Sequence, residues 1–374
     1  MKNLFIFTFL LCLSIALYAQ EKDIKPLEIG SAAPIFDLPG VDGKNHKLSD
    51  FDDHDILVIL FTCNHCPTAQ AYEDKFISIV NEYKGKGVGF VAISPNDPDA
   101  VNLSELGYTD LGDNLEEMKI RAKEKNFPFP YLYDGETQRT SIAYGPFATP
   151  HVFVFDNERI LRYSGRIDDT ENPYVEPKNK DLIHALDALL SSEDPPVAQT
   201  KTFGCSVKWA WKDEWTKQLM VEWSKEPVEL NDISLQSAKE LMKNTGSKLR
   251  MVNMWATWCG PCIIEFPSLV EINRMYRGRD FEFISISTDK PGKKDKALEI
   301  LKKKEASNQN YIFTGEDIYE LIEVVDTEWQ GSLPYTALVA PGGEIIYKIE
   351  GAIEPLVLKQ KIVDYLGRYY ADEQ

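Results

Sequence analysis

Cysteines carry most of the chemistry open to this sequence. Cys63-Asn64-His65-Cys66 and Cys259-Gly260-Pro261-Cys262 each place two thiols three positions apart. On the first turn of a helix, that spacing brings the sulfurs close enough for a small, reducible ring, unlike a structural disulfide that closes a long loop. A thiol at a helix N-terminus ionises more readily, and the thiolate is the nucleophile in disulfide exchange. The pattern predicts an exposed, ionisable first cysteine (Cys63, Cys259), with the second (Cys66, Cys262) behind it to resolve a mixed disulfide. Zinc is the structural alternative, since two such pairs offer four thiolates. The pairs lie nearly a domain length apart, each after its own strand pattern, which argues against a shared ion. Haem attachment is excluded, because Pro67 and Ile263 stand where histidine is required.

The elements that must hold these thiols follow from periodicity. Ile56-Leu57-Val58-Ile59-Leu60-Phe61 and Met251-Val252-Asn253-Met254-Trp255-Ala256 read as buried strands ending at the first cysteine, where a helical pattern begins. In the first unit, helices are predicted over 66–83, 113–126, 137–144 and 180–191. Strand 88–93 and a hairpin of 151–155 with 160–164 around Asp156-Asn157 complete it. The second unit repeats the plan: strand 249–256, helix 261–276, strand 281–287, helix 293–304, strands 335–339 and 344–349 about a Pro-Gly-Gly turn, and a terminal helix 354–370. Ser191-Ser192-Glu193-Asp194-Pro195-Pro196 is polar, aperiodic and proline-paired, as a linker should be. The expected domains are 24–190 and 229–374, joined by 191–228, with 203–209 placed provisionally with the first. Tryptophans 209, 211, 215 and 223 in the joining segment are expected to pack onto a domain, since aromatics mostly serve burial.

Composition narrows the partners. With 41 basic and 59 acidic residues the net charge is −18, which argues against nucleic acid, because phosphate contacts need a basic face. Lys2 followed by the apolar run Leu4 to Tyr18, with Ala19 at the end, reads as a cleavable signal peptide over residues 1–19. No later run approaches a membrane span, so the expected mature chain is periplasmic or otherwise exported, with no stable span, where disulfides persist. Loss of Cys12 with the signal leaves five cysteines, and Cys205 is unpaired.

Trp255-Ala256-Thr257-Trp258-Cys259-Gly260-Pro261-Cys262, with Glu265, Pro267 and Leu333-Pro334, strongly resembles the thioredoxin superfamily, specifically its exported TlpA/ResA-type members, over roughly 229–370. The resemblance implies an attacking Cys259, a resolving Cys262, a groove-shaping cis-proline at Pro334 and a helix kinked at Pro267. Glu265 is the candidate for moving the proton off Cys262, as a carboxyl with a burial-raised pKa could do; its bland reading is an exposed residue of the first turn. The first unit, about 28–208, resembles the redoxin group of the same superfamily, with peroxiredoxin-like outer elements and Thr149-Pro150 as the cis-proline site. The implied fold is α/β: two tandem thioredoxin-like domains, each a central mixed sheet flanked by helices.

His65 sits just before the second cysteine, as in strongly oxidising family members, where it would stabilise the Cys63 thiolate; otherwise it is an exposed helix-start residue. Gly-Pro is the dipeptide of reducing members. The family extremes lie about 150 mV apart, so the dipeptides could separate the sites by up to roughly 10⁵-fold in exchange equilibrium. The tail Phe203-Gly204-Cys205-Ser206-Val207-Lys208-Trp209 resembles an extension of redoxins of the Cys-Asn-His-Cys type, and Cys205 is expected either to exchange with Cys63 or Cys66 or to be inert. The expected activity is dithiol–disulfide exchange on protein thiols and disulfides, fed by an upstream redox donor, without cofactor or metal. Electrons would pass from the Gly-Pro site to the Asn-His site. The alternatives are a thioredoxin-coupled peroxidase, against which Ile59 and Leu60 supply no hydroxyl before Cys63, or a docking role for one domain.

Overall fold

The computed structural model describes residues 24–370. The predicted signal peptide and Cys12 lie outside the described residues.

The chain opens with a small hairpin, β1 (Asp37–Pro39) and β2 (Asn45–Lys47). Then follow β3 (Ile56–Phe61), α1 (Pro67–Tyr83), β4 (Val88–Ser94), α2 (Leu115–Lys125), β5 (Tyr131–Tyr133) and α3 (Arg139–Tyr144). The two-residue β6 (Ala148–Thr149), β7 (His151–Phe155), β8 (Leu161–Gly165), α4 (Asp181–Leu190), β9 (Cys205–Ser206) and α5 (Asp213–Trp223) come next. The second half holds β10 (Asn231–Ile233), α6 (Leu235–Lys243), β11 (Leu249–Trp255), α7 (Gly260–Tyr276), β12 (Phe281–Ser287) and α8 (Lys294–Lys303). It ends with β13 (Gln309–Phe313), α9 (Ile318–Val325), β14 (Tyr335–Val339), β15 (Ile345–Glu350) and α10 (Pro355–Leu366).

Two mixed sheets result, ordered β5-β4-β3-β7-β8 and β10-β13-β12-β11-β14-β15. Each central strand pairs parallel on one side and antiparallel on the other: β3 with β4 and β7, β11 with β12 and β14. Such strands are covered on both faces, which is why β3 reads as an unbroken apolar run and β11 as one interrupted only by Arg250 and Asn253. Ile56, Val58 and Leu60 face α1 and α4 (Phe76, Val80, Leu182, Leu186). Leu57, Ile59 and Phe61 face the opposite layer of Phe36, Tyr144 and Phe153. In the second half, Met251 and Trp255 pack with α7 and α10, and Val252 and Met254 with α6 and α9.

The two halves are docked through the C-terminal end of α7. The Tyr276 hydroxyl donates to Thr109 O at 2.7 Å, Arg279 donates to Gly107 O at 2.9 Å, and Arg368 pairs with buried Asp110 at 2.5 Å. Leu103 and Leu106 of the first half reach the apolar core of the second. The joining tryptophans divide. Trp209 and Trp211 stack at 5.2 Å, buried Trp223 lies under the guanidinium groups of Arg274 and Arg277, and Trp215 is exposed. Among the described residues, no helix is long and apolar enough to cross a membrane.

Candidate functional site: two cysteine pairs

The two pairs are set differently on their helices. Cys259 is the N-cap of α7, and its sulfur accepts the Cys262 N–H at 3.3 Å. In the first pair the N-cap is Cys66, whose sulfur accepts the Ala69 N–H at 3.4 Å. Helix α1 therefore begins after the second cysteine, within a residue of the predicted start at 66, whereas α7 begins just after the first. Proline explains the offset: it is favoured at a helix's first position, and Pro67 follows Cys66 whereas Pro261 lies between its cysteines. The helix end that favours a thiolate thus acts on Cys259 in one site and on Cys66 in the other.

Cys259 and Cys262 form a disulfide. Cys259 is 5% exposed, and Trp258 and Ile264 beside the pair are 71% and 78% exposed. Behind it, Glu265 lies on the same face of α7 as Cys262 and is buried, not exposed. Its carboxylate accepts Asn253 Nδ2 at 3.1 Å and the Ile353 N–H at 3.0 Å. Burial raises its pKa, and those two donors only partly offset the shift. Pro267 lies inside α7, and the helix continues through it. Asp289, just past β12, anchors the loop before the cysteines by accepting the Thr257 N–H at 2.7 Å and its hydroxyl at 2.9 Å.

The first pair is sealed. Cys63 is 2% and Cys66 0% exposed, and Cys259 is itself buried, so the exposed attacking thiol expected at the first cysteine is found at neither pair. Cys63 Sγ lies 3.2 Å from Thr149 Oγ1, and Cys66 Sγ lies 3.2 Å from Thr149 O. Burial pushes the Cys63 thiol up, reinforced by the neighbouring Cys66 sulfur and the Asp113 charge. Burial also opposes ionisation of Cys66, but hydrogen bonds from Cys205 and Cys63, the His65 charge and the Ala69 N–H outweigh it and hold the thiol well below its ordinary value.

His65 is not exposed but buried, with Nδ1 2.5 Å from Asp113 Oδ2. Burial lowers its pKa, but the Asp113 charge and hydrogen bond reverse the sign and keep the imidazolium favoured. That charge acts on Cys66, the next residue. Asp113 also accepts the Asn64 and His65 N–H groups on Oδ1 and Asn96 Nδ2 on Oδ2. Cys63, His65 and Asp113 have ligand atoms within 4.8 Å of one another, but both Asp113 oxygens already accept two N–H bonds each, which leaves the carboxylate no free direction for an ion.

Both Thr149-Pro150 and Leu333-Pro334 peptide bonds are cis. Cys205 lies against Cys63, Cys66 and Ala69. Asp113 and Asp289 were not singled out in the sequence. The only signal for Asp113 was its place at the start of the helix predicted over 113–126, and nothing in it pointed to a residue so far upstream.

Comparisons with known proteins agree with this geometry. The AhpC/TSA family matches residues 29–164 and the Redoxin family residues 229–363. Thiol-disulfide oxidoreductase ResA of Oceanobacillus iheyensis is 26% identical over 145 residues, covering 37% of this chain and 61% of that protein. ResA of Bacillus thuringiensis subsp. konkukian is 26% identical over 154 residues, covering 41% and 82%. A hypothetical protein from Sinorhizobium meliloti 1021 is similar over 50% of this chain and 97% of its own, with 32% identity and a TM-score of 0.45. The chain belongs to the thioredoxin superfamily, as two tandem domains. Within that superfamily it falls in the class of thiol–disulfide oxidoreductases.

Proposed function

We propose that the protein exchanges dithiols and disulfides on protein substrates through both pairs, outside the cytoplasm. The observation that carries this reading is the Cys259–Cys262 disulfide at the start of α7, flanked by exposed Trp258 and Ile264. Exposed apolar side chains beside a reducible bond suit an unfolded or partly folded polypeptide more than a small thiol. Reduced Cys259 attacks a substrate disulfide, a mixed disulfide forms, and the Cys262 thiolate displaces the substrate thiol. Glu265, whose carboxylate is made more basic by burial, takes the Cys262 proton when that thiol ionises.

A relay between the pairs is a finer proposal. The end of α7 docked on the first domain is the one opposite Cys259, about 25 Å along a helix of this length. Transfer therefore requires the domains to part or a carrier to shuttle.

The test is a redox titration of the full chain against glutathione in two variants, C63S/C66S and C259S/C262S, with dithiothreitol-driven insulin reduction as the activity. Two well-separated potentials are expected. Equal potentials would remove the two-role reading, and no acceleration of insulin reduction would sink the function. Peroxide consumption by the second-site variant is expected to stay at background.

A further inference from the structure

We propose that residues 203–207 form a built-in strand filling the cleft of the first site, and that Cys205 is its third redox thiol, exchanging with Cys66. This rests on the proposed exchange activity of that site.

Strand β6 lies outside the five-stranded sheet and borders both sulfurs of the pair through Thr149. A polypeptide that delivers a sulfur to Cys66 by main-chain pairing would have to pair with β6, adding a strand to it. Strand β9 already does so, antiparallel, with Thr149 opposite Cys205 and Ala148 opposite Ser206. The residue delivered is a cysteine, and its N–H lies 3.3 Å from Cys66 Sγ.

The chain is shaped for this approach. Gly204 has φ +126°, and a Cβ there would fall 2.1 Å from Thr149 O, so only glycine lets the strand come this close. On the far side, Lys208 N donates to Asn96 Oδ1 at 2.9 Å, and Asn96 Nδ2 holds Asp113, the partner of His65. One asparagine thus ties the strand to the network that charges the neighbourhood of Cys66. Of the three sulfurs, only that of Cys205 belongs to a residue with appreciable exposure, so oxidation enters there.

The steps balance. Cys205 passes its proton to the Cys66 thiolate and attacks a substrate disulfide. A Cys205–substrate bond forms, and the first substrate sulfur leaves, taking the proton back from Cys66. The Cys66 thiolate then attacks Cys205 Sγ: the Cys66–Cys205 bond forms and the second substrate sulfur leaves. That sulfur takes the Cys63 proton, and the Cys63 thiolate attacks Cys66. The Cys63–Cys66 bond forms and Cys205 is released as a thiolate. Two electrons have moved from Cys63 and Cys66 to the substrate disulfide.

Removing Cys63 stops the last step. In full-length C63S carrying C259S/C262S, oxidation with glutathione disulfide, acid quenching and non-reducing peptide mapping should show a Cys66–Cys205 linked peptide and loss of Cys205 alkylation in most chains. Cys66 glutathionylated with Cys205 still alkylatable would overturn the proposal. Adding Gly204→Ala, which touches no thiol, should abolish the linked peptide and speed Cys205 alkylation, with circular dichroism confirming the fold; an unchanged yield would also overturn it. If wild type never equilibrates with glutathione at either pair, the functional reading fails separately, since the C63S linkage is read independently of turnover.

Discussion

The two cysteine pairs share a motif and a fold, yet the helix start is displaced by three residues between them. At the second, Cys259 caps α7 beside exposed apolar side chains, and a buried carboxyl stands behind Cys262. At the first, Cys66 caps α1, both sulfurs are enclosed, and the charge beside them is the buried His65–Asp113 pair. The same spacing of thiols can therefore present its outer cysteine to a substrate or its inner cysteine to its own chain. The difference lies in which thiol the helix end and the local charge favour.

The comparison breaks most sharply at the thiols. Cys259→Ser is expected to lower insulin reduction by about a thousandfold or more, as loss of a nucleophile does. Cys63→Ser or Cys66→Ser should change it only modestly, because that site is covered. Equal losses from the two sites would contradict the asymmetry.

Asp113→Asn strands a buried imidazole and should destabilise the first domain by about 3–5 kcal/mol, read by urea unfolding. The pH dependence has a definite sign. The raised His65 pKa contributes stability that is full below its unfolded value near 6.5 and lost as pH climbs through the folded value. The lowered Asp113 pKa contributes stability that is full above its unfolded value near 3.9 and lost as pH falls through the folded value. The gap between wild type and variant should therefore be greatest between about pH 4 and 6.5. A pH-independent gap would mean that the pair is held by packing alone.

Glu265→Gln should slow turnover at the second site about tenfold and flatten its pH–rate profile, the signature of a lost proton acceptor. Because the native carboxyl's pKa is raised, wild-type stability falls as pH rises from the unfolded value near 4.3 to the folded one, and the variant should lose that slope. An unchanged profile would leave Glu265 a structural anchor for Asn253 and Ile353. The smallest effect belongs to Trp258→Ala: a few-fold higher KM for insulin, unchanged reduction of glutathione disulfide, and stability within about 0.5 kcal/mol.

Much of this was legible in the chain itself. The buried strand β3 follows from an unbroken apolar run, β11 from a mostly apolar one, and β7 and β8 from the two runs on either side of Asp156-Asn157. The elements missed include β1, β2, β5, β10 and the pairing of β6 with β9, whose two or three residues carry no measurable period, but also the longer α5, α6, β13 and α9, which the pattern reading passed over. The offset helix start is written in the positions of Pro67 and Pro261, and the predicted ranges 66–83 and 261–276 already carry it.

Sequence by itself determined which thiols are paired, where the two prolines flank them and that each pair follows a buried strand, because these depend on neighbours along the chain. Tertiary structure alone decided the character of each site. Asp113 reaches His65 across 48 positions, Glu265 meets Ile353 across 88, and Cys205 meets Cys66 across 139. Electrostatics and burial act through space, so a thiol's ionisation is set by groups that the linear order does not place beside it.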